Sequence, residues 1–176
     1  MIDAIATKIA VKLKEASPEE TASVDMMKFA LIGIIHNTLI FITALVVGLC
    51  AGQLLETLLA AVSFMILRLV SGGYHFKSPL SCFLFSSFVF IAIPFVSLDN
   101  LWFWIVNAMS LLLVSIFAPS NIKDHIRVSE KFFPVFKFLS ILVVAVSILF
   151  HNEIVTIAFF AQSLTLITLR KEVRGA

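Results

Sequence analysis

The chain has 176 residues, of which 60% are hydrophobic and only 14% are charged, and its mean hydropathy is +1.06. Soluble domains average about 45–50% apolar and about 25% charged residues. A soluble domain of this size could not bury 18 phenylalanines, and because the net charge of +2 is modest, the placement of the charges matters more than their sum. The composition therefore predicts an all-α, polytopic membrane helix bundle that forms a single integral membrane domain over residues 1–176.

The first predicted element is a short amphipathic helix over residues 1–16. Ile2, Ile5, Ile9 and Leu13 fall on one face at helical spacing. Such a helix can lie on the membrane surface with its apolar stripe in the headgroup boundary, or it can pack against the membrane-spanning helices. The sequence leaves both placements open.

The segment SPEE, residues 17–20, has the pattern of a helix start. Ser17 suits the N-cap, Pro18 the first helical position, and Glu20 the third position of a capping box. We therefore expect the next helix to begin here and to continue into the first long apolar stretch.

Six apolar stretches follow, and most are close to the roughly 20 residues that a helix needs to cross a bilayer. They lie near residues 29–50, 54–70, 80–98, 101–118, 132–150 and 154–169. The second is weaker because Glu56 and Arg68 lie near its ends. The sixth is short and contains Thr156, Gln162 and Thr165. The prediction is six spans.

The positions of the basic residues predict the orientation. With six spans, one side of the membrane receives the N-terminal segment, the 68–79 break, the 119–137 loop and the C-terminus. All 13 Lys and Arg residues fall on that side, and the three turns on the other side contain none. Because positive residues favour the cytoplasmic side, both termini and the 68–79 break are predicted to face the cytoplasm.

The break reads RLVSGGYHFKSPLSC, residues 68–82. Gly72 and Gly73 suit the end of a helix, because glycine accepts the positive φ of a C-terminal cap. Ser78 and Pro79 suit the N-cap and the first position of the next helix. Cys82 would then lie just beyond the first turn of that helix.

This position suits a reactive thiol. A helix N-terminus or a neighbouring imidazolium favours the thiolate, and His75, Lys77 and Arg68 are all near Cys82 in sequence. Spacing alone leaves a plainer interpretation open, in which the cysteine is buried and inert, the histidine is solvated, and the two basic residues anchor helices at the headgroups. Cys50, at the far end of a span with no neighbouring histidine, is predicted to be structural.

At this point the motifs resemble a known family. LLETLL at 54–59, LRLVSGGYHFKSPLSCF at 67–83 and FAPSNIK at 117–123 are similar to segments of the accessory gene regulator B (AgrB) family of Gram-positive quorum-sensing bacteria. His75 lies seven residues after Arg68 and seven before Cys82, which matches the family pattern. The resemblance covers most of the chain.

The resemblance implies a cysteine endopeptidase, with thiol protease activity, in the bacterial cell membrane. Its partner would be a small AgrD-like precursor peptide with an amphipathic N-terminal segment and an acidic tail. The enzyme would remove the tail and close a cyclic thiolactone or lactone. Cys82 would be the nucleophile and His75 the general base and acid, while Arg68 and Gly73 fall on positions that the family keeps around the site and Lys77 would support it. A homodimer is also implied.

The chain departs from the family at Ile32, which aligns with a position that is Glu or Gln in many members. His36 and Asn37, one turn further along, could substitute for that polar residue. Two alternatives remain: a non-enzymatic membrane peptide transporter or scaffold, and an inactive relative. No His, Cys and Asp cluster has metal-ligand spacing, so no metal or cofactor is expected, and the short basic segments next to spans argue against nucleic-acid binding. Membrane lipid is the other expected partner.

Overall fold

The computed structural model describes residues 2–74, 78–120 and 132–167. Seven α-helices and one 3-10 turn follow one another along these ranges, and no β-strand occurs in them. The helices are α1 (Ile2–Ala16), α2 (Val24–Cys50), α3 (Leu54–Ser71), α4 (Pro79–Ala92), α5 (Asn100–Phe117), α6 (Phe133–Ile148) and α7 (Glu153–Leu164), with the 3-10 turn at Ile93–Phe95. The predicted all-α fold class is confirmed.

Helices α2 to α7 follow the six predicted apolar stretches in order. Among the described residues, α2, α3 and α5 are long and apolar enough to cross a membrane, whereas α4 with its 3-10 turn, α6 and α7 are shorter apolar helices. The protein is therefore a membrane protein, and the count of six spans stays a prediction. Residues 168–169, the end of the sixth predicted span, lie outside the described ranges.

The predicted helix start at SPEE, residues 17–20, is wrong. The backbone N–H of Ser17 donates to Leu13 O at 3.1 Å, so Ser17 ends α1 instead of starting α2. Helix α2 begins at Val24, where the side chain of Ser23 accepts a backbone N–H of the first turn. Two serines stood ahead of the apolar run, and the second one caps the helix.

Helix α1 has the predicted bounds and packs against α2. Ala6 and Ala10 are fully buried. The carboxylate of Asp3 forms an ion pair with Lys28 of α2, with Oδ1 and Nζ 3.0 Å apart. The larger apolar side chains of α1 remain exposed: Ile5, Ile9, Val11 and Leu13. The helix thus has one small-residue face against the bundle and one apolar face available for lipid, and its placement at the membrane surface stays a prediction.

Helix α3 lies at the centre of the bundle, in contact with α2, α4, α6 and α7. One buried cluster joins its first half to α2, α4 and α7: Ile40, Ala44, Ala60, Ala61, Phe64, Phe90, Ile93 and Ala158. A second joins its last half to α5, α6 and α7: Leu67, Val114, Ala118, Val144, Phe159 and Leu166. Small residues are frequent in the first cluster, where four of the eight are alanine, as expected where packing contacts, more than exclusion from water, hold membrane helices together.

Candidate active site

The chain turns sharply at the end of α3. Gly72 has φ 71° and ψ −144°, and Gly73 has φ 138°. The predicted helix end with positive φ is confirmed, but the ψ value makes Gly72 extended and not left-handed helical. The extended backbone lets Gly72 form a parallel bridge with Ser120.

Three backbone hydrogen bonds tie this turn to two other helix ends. Gly73 N–H donates to Ser120 O at 2.9 Å, and Ser120 N–H donates to Ser71 O at 2.9 Å. Tyr74 N–H donates to Thr165 O at 2.8 Å. The segment after α3 is therefore held between the FAPS segment that follows α5 and the residues that follow α7.

The surroundings of Gly73 explain why a glycine stands there. A Cβ at this position would lie 2.6 Å from Thr165 Oγ1, 3.2 Å from Gln162 Nε2 and 3.4 Å from Arg68 Nη1. The first distance is too short for any real contact, and the positive φ is strained for other residues. Gly73 lies within the site, where the turn, α3 and the end of α7 touch.

Arg68, in the last turn of α3, is held by two hydrogen bonds. Its Nη2 donates to Tyr74 O at 2.9 Å and its Nη1 to Gln162 Oε1 at 3.3 Å. Its guanidinium carbon lies 5.9 Å from the centre of the Phe64 ring. Among the described residues no carboxylate pairs with Arg68, so its charge is not neutralised by any described part of the chain.

Gln162 is a site neighbour that the sequence interpretation missed. It is fully buried, and its amide contacts Arg68, Ser71, Gly72 and Thr165. In the sequence it counted only as a polar residue that weakened the sixth span. The signal that could have identified it is general: a polar side chain inside a membrane helix is costly and often functional.

Cys82 lies on α4, which begins at Pro79 after Ser78 as predicted, although the Ser78 side chain makes no capping bond. Cys82 is the fourth helical residue and its side chain is 8% exposed. It lines a cavity of about 30 Å³ together with Arg68 and Asn37. A cavity of this volume holds one or two water molecules. Cys82 and Arg68 therefore line one small space in common.

The cavity also bears on the departure at Ile32. The polar group that α2 contributes to the wall is Asn37, and Ile32 does not line it. The ring of His36 packs edge-on against Phe83 with centroids 6.4 Å apart, and among the described residues its Nε2 is buried without a hydrogen-bond partner. Of the two residues that the sequence offered as substitutes, Asn37 is the one that lines the cavity.

Two predicted site residues, His75 and Lys77, lie outside the described residues. Of the described residues on either side of them, Tyr74 is bonded to Thr165 and Arg68, and Ser78 directly precedes α4. Cys50 is exposed at the end of α2. In the described ranges no group of three His, Cys, Asp or Glu side chains is placed to hold a metal ion.

The chain was compared with known proteins. The profile of the family AgrB, accessory gene regulator B, matches residues 2–169. An AgrB-like protein of Halalkalibacterium halodurans is 32% identical over 110 residues, covering 62% of this chain and 56% of that protein. An AgrB-like protein of Listeria welshimeri is 31% identical over 109 residues, covering 60% and 53% respectively. The accessory gene regulator protein B of Staphylococcus saprophyticus is 25% identical over 128 residues, covering 70% and 68%.

The matched stretch thus spans little more than half the length of the first two relatives. No solved structure matches the chain significantly. Because the family profile extends over nearly all of the sequence, the protein belongs to the accessory gene regulator B family.

Proposed function

We propose that the protein is a membrane cysteine endopeptidase that cleaves a quorum-sensing precursor peptide and cyclises the product. Membership of a family that works in accessory gene regulator systems supports a peptide partner. The observation that carries the proposal is the cavity shared by Cys82 and Arg68, next to the turn that leads to His75.

In the first step, Cys82 attacks the carbonyl carbon at the end of the peptide core. His75 accepts the thiol proton and returns it to the leaving amine of the tail, so a C–S bond forms while a C–N bond breaks. The start of α4, whose dipole is positive, and the guanidinium of Arg68, which lines the same cavity, would stabilise the negative charge on the reacting groups. The product is a thioester on Cys82 and a free tail.

The oxyanion of this step needs hydrogen-bond donors. Cys82 N–H is already bonded to Ser78 O at 3.1 Å, and Pro79 has no N–H. The amides of Leu80 and Ser81 belong to the first turn of α4, which has no intrahelical acceptor for them. Because side chains on a helix lean towards its N-terminus, the Cys82 thiol lies over that turn, and we assign the oxyanion to these two amides.

In the second step, an internal Cys or Ser of the peptide attacks the thioester and Cys82 leaves as thiolate, which closes the ring. Exchange between similar thiols needs neither ATP nor metal. Hydrolysis competes with ring closure, and a nucleophile that is only 8% exposed supports exclusion of water. We assign to Asn37, which lines the cavity, the role of holding a peptide amide.

The same proposal includes the topology and the assembly implied by the family. Both termini and the site face the cytoplasm, where all 13 basic residues of the six-span arrangement would attract an acidic tail. A homodimer is part of the proposal.

The test is coexpression of the full chain with a candidate precursor, a short peptide with a Cys-containing core and an acidic tail, followed by detection of the released tail. Cys82→Ala and His75→Ala should leave the precursor intact, while Cys50→Ser, which changes an exposed cysteine remote from the cavity, should cleave normally. Cleavage by Cys82→Ala would disprove the assignment. Intact precursor transported by all variants alike would favour a transporter or scaffold.

A further inference from the structure

We propose that Gln162 is a positioning residue, which holds Arg68 and the beginning of the His75 loop in the geometry that the reaction needs. This inference rests on the proposed function and extends it to a residue on α7, 94 positions from Arg68.

The Gln162 amide uses both of its donors and its oxygen. An amide side chain has two N–H donors and an oxygen with two lone pairs. Nε2 donates to Gly72 O at 2.7 Å and to Ser71 Oγ at 3.3 Å. Oε1 accepts from Arg68 Nη1 at 3.3 Å. The Thr165 hydroxyl lies 3.1 Å from Oε1, but its one proton has a closer acceptor in the backbone O of Gln162, at 2.7 Å. Three of the four positions are occupied, and exchanging the amide oxygen and nitrogen would lose the bonds to Gly72 O and Arg68.

These bonds reach both the cation of the site and the backbone that precedes His75. Ser71 and Gly72 are bonded to Gln162 itself. The next two residues, Gly73 and Tyr74, are bonded to the other helix ends of the site. Arg68 bonds both Gln162 and Tyr74 O. One buried side chain thus fixes the cation beside Cys82 and the backbone that leads to the proposed base.

Helix α7 also makes a comparable buried polar contact remote from the site, which provides a control. Asn107 Nδ2 donates to Thr156 Oγ1 at 3.2 Å, and both residues are buried. Thr156 lies six residues before Gln162, about 9 Å along the helix at 1.5 Å per residue. This pair joins α5 to α7 without touching the cavity, so it serves as a matched control for helix packing.

The loss of Gln162 has a defined consequence. Gln162→Met keeps the volume and removes every donor and acceptor. The Gly72 carbonyl then loses a buried hydrogen-bond donor, and Arg68 retains only Tyr74 O among its described hydrogen-bond acceptors. A small displacement of a reacting group is enough to slow a reaction about 100-fold.

The experiment compares wild type, Gln162→Met, Thr156→Val and Cys82→Ala as purified full-length proteins, with the precursor peptide that the wild type cleaves. Gln162→Met is expected to lower kcat about 100-fold while KM stays within about threefold, because orientation and not binding is lost. Thr156→Val should keep both constants within about threefold for the folded fraction. Hydrogen exchange at the Gly73 and Tyr74 amides should be faster in Gln162→Met only.

Several outcomes separate this inference from the proposed function. If Cys82→Ala abolishes cleavage and Gln162→Met keeps wild-type kcat, the positioning role is wrong and the proposed function stands. If Gln162→Met and Thr156→Val lose activity equally, Gln162 contributes only to packing and the inference is wrong. If Cys82→Ala cleaves, the proposed function fails. If the wild type cleaves no peptide, unchanged exchange at the two amides in Gln162→Met still overturns the inference.

Discussion

At the scale of single residues, the site depends on a charge inside a largely apolar bundle. Arg68 stays protonated at any physiological pH and would be costly in the interior without hydrogen-bond acceptors. Tyr74 O and Gln162 Oε1 supply two, and the Phe64 ring lies beside the guanidinium. No described carboxylate pairs with Arg68. Under the proposed function, its charge is therefore available to the reacting sulfur of Cys82 or to a substrate oxygen.

The prediction at this scale concerns Gly73. Gly73→Ala places a Cβ 2.6 Å from Thr165 Oγ1 at a backbone φ of 138°. The cost of backbone strain adds to the cost of overpacking, so we expect the free energy of unfolding to fall by about 2–4 kcal/mol. Thermal unfolding in detergent measures it. Gly52→Ala is the control, since φ there is also positive, at 70°, but nothing lies within 4 Å, and the expected loss is about 1–2 kcal/mol. Equal losses in the two variants would contradict the clash with α7.

Part of the candidate site was predictable from sequence because its residues are close together in the chain. The segment from Arg68 to Cys82 contains the glycines of the helix end and the proline of the helix start, and these local signals were read correctly. Gln162 reaches the site from α7, far away in sequence, and was missed. Asn37 of α2 was named only through the family alignment at Ile32. No local pattern links such residues, because the packing of the helices brings them together.

At the scale of elements, glycine permits the close packing of α2 and α3. The Cα of Gly48 faces Thr57, and a Cβ there would lie 2.5 Å from Thr57 Oγ1 and 2.9 Å from Thr57 Cβ. Both residues are buried near the tight turn that joins the helices. Backbones approach this closely in membrane proteins where one residue is small.

Gly48→Ala should therefore push the two helices apart and cost about 1–3 kcal/mol. Gly33→Ala on the same helix, where nothing lies within 4 Å, should be neutral or gain about 0.5–1 kcal/mol from higher helix propensity. The temperature at which each variant loses its monodisperse peak in detergent measures the difference. A Gly48→Ala variant as stable as Gly33→Ala would show that the helices are not held this close.

The elements themselves were largely predictable, and the one error is instructive. Long apolar runs located α2 to α7 because membrane helices need such runs. The start of α2 was misplaced because Ser17 and Ser23 both resemble N-caps in sequence. The choice between them depends on where α1 ends, which in turn depends on its packing against α2.

At the scale of the whole molecule, the two ends of the bundle differ in charge. Arg68 lies with the C-terminal ends of α3, α5 and α7, which meet at the site. At the opposite ends of α5 and α7, Asp99 caps α5 and the Glu153 carboxylate accepts Leu98 N–H at 2.9 Å. Because Lys and Arg, and not Asp or Glu, set the orientation of membrane proteins, it is the position of Arg68 at the site end that supports the proposed orientation with the site in the cytoplasm.

Cysteine labelling tests this orientation in a Cys50→Ser, Cys82→Ala background. A membrane-impermeant maleimide should label Gly52→Cys and Asn100→Cys on intact cells, because Gly52 lies in an exposed turn and Asn100 is the exposed first residue of α5, both at the end of the bundle proposed to face outward. Ser17→Cys should react only after lysis. Labelling of Ser17→Cys on intact cells would contradict the positive-inside assignment and would place the site outside.

The most direct test of the central claim is the mass of the Cys82 peptide after reaction. The full-length protein is incubated with a precursor whose internal core Cys is replaced by Ala, so that ring closure is blocked and the thioester accumulates. The account predicts a mass increase on Cys82 equal to the precursor without its tail, minus one water, that hydroxylamine removes, and no increase at Cys50. Release of the tail without any acyl adduct on Cys82, or an equal adduct on Cys50, would contradict it.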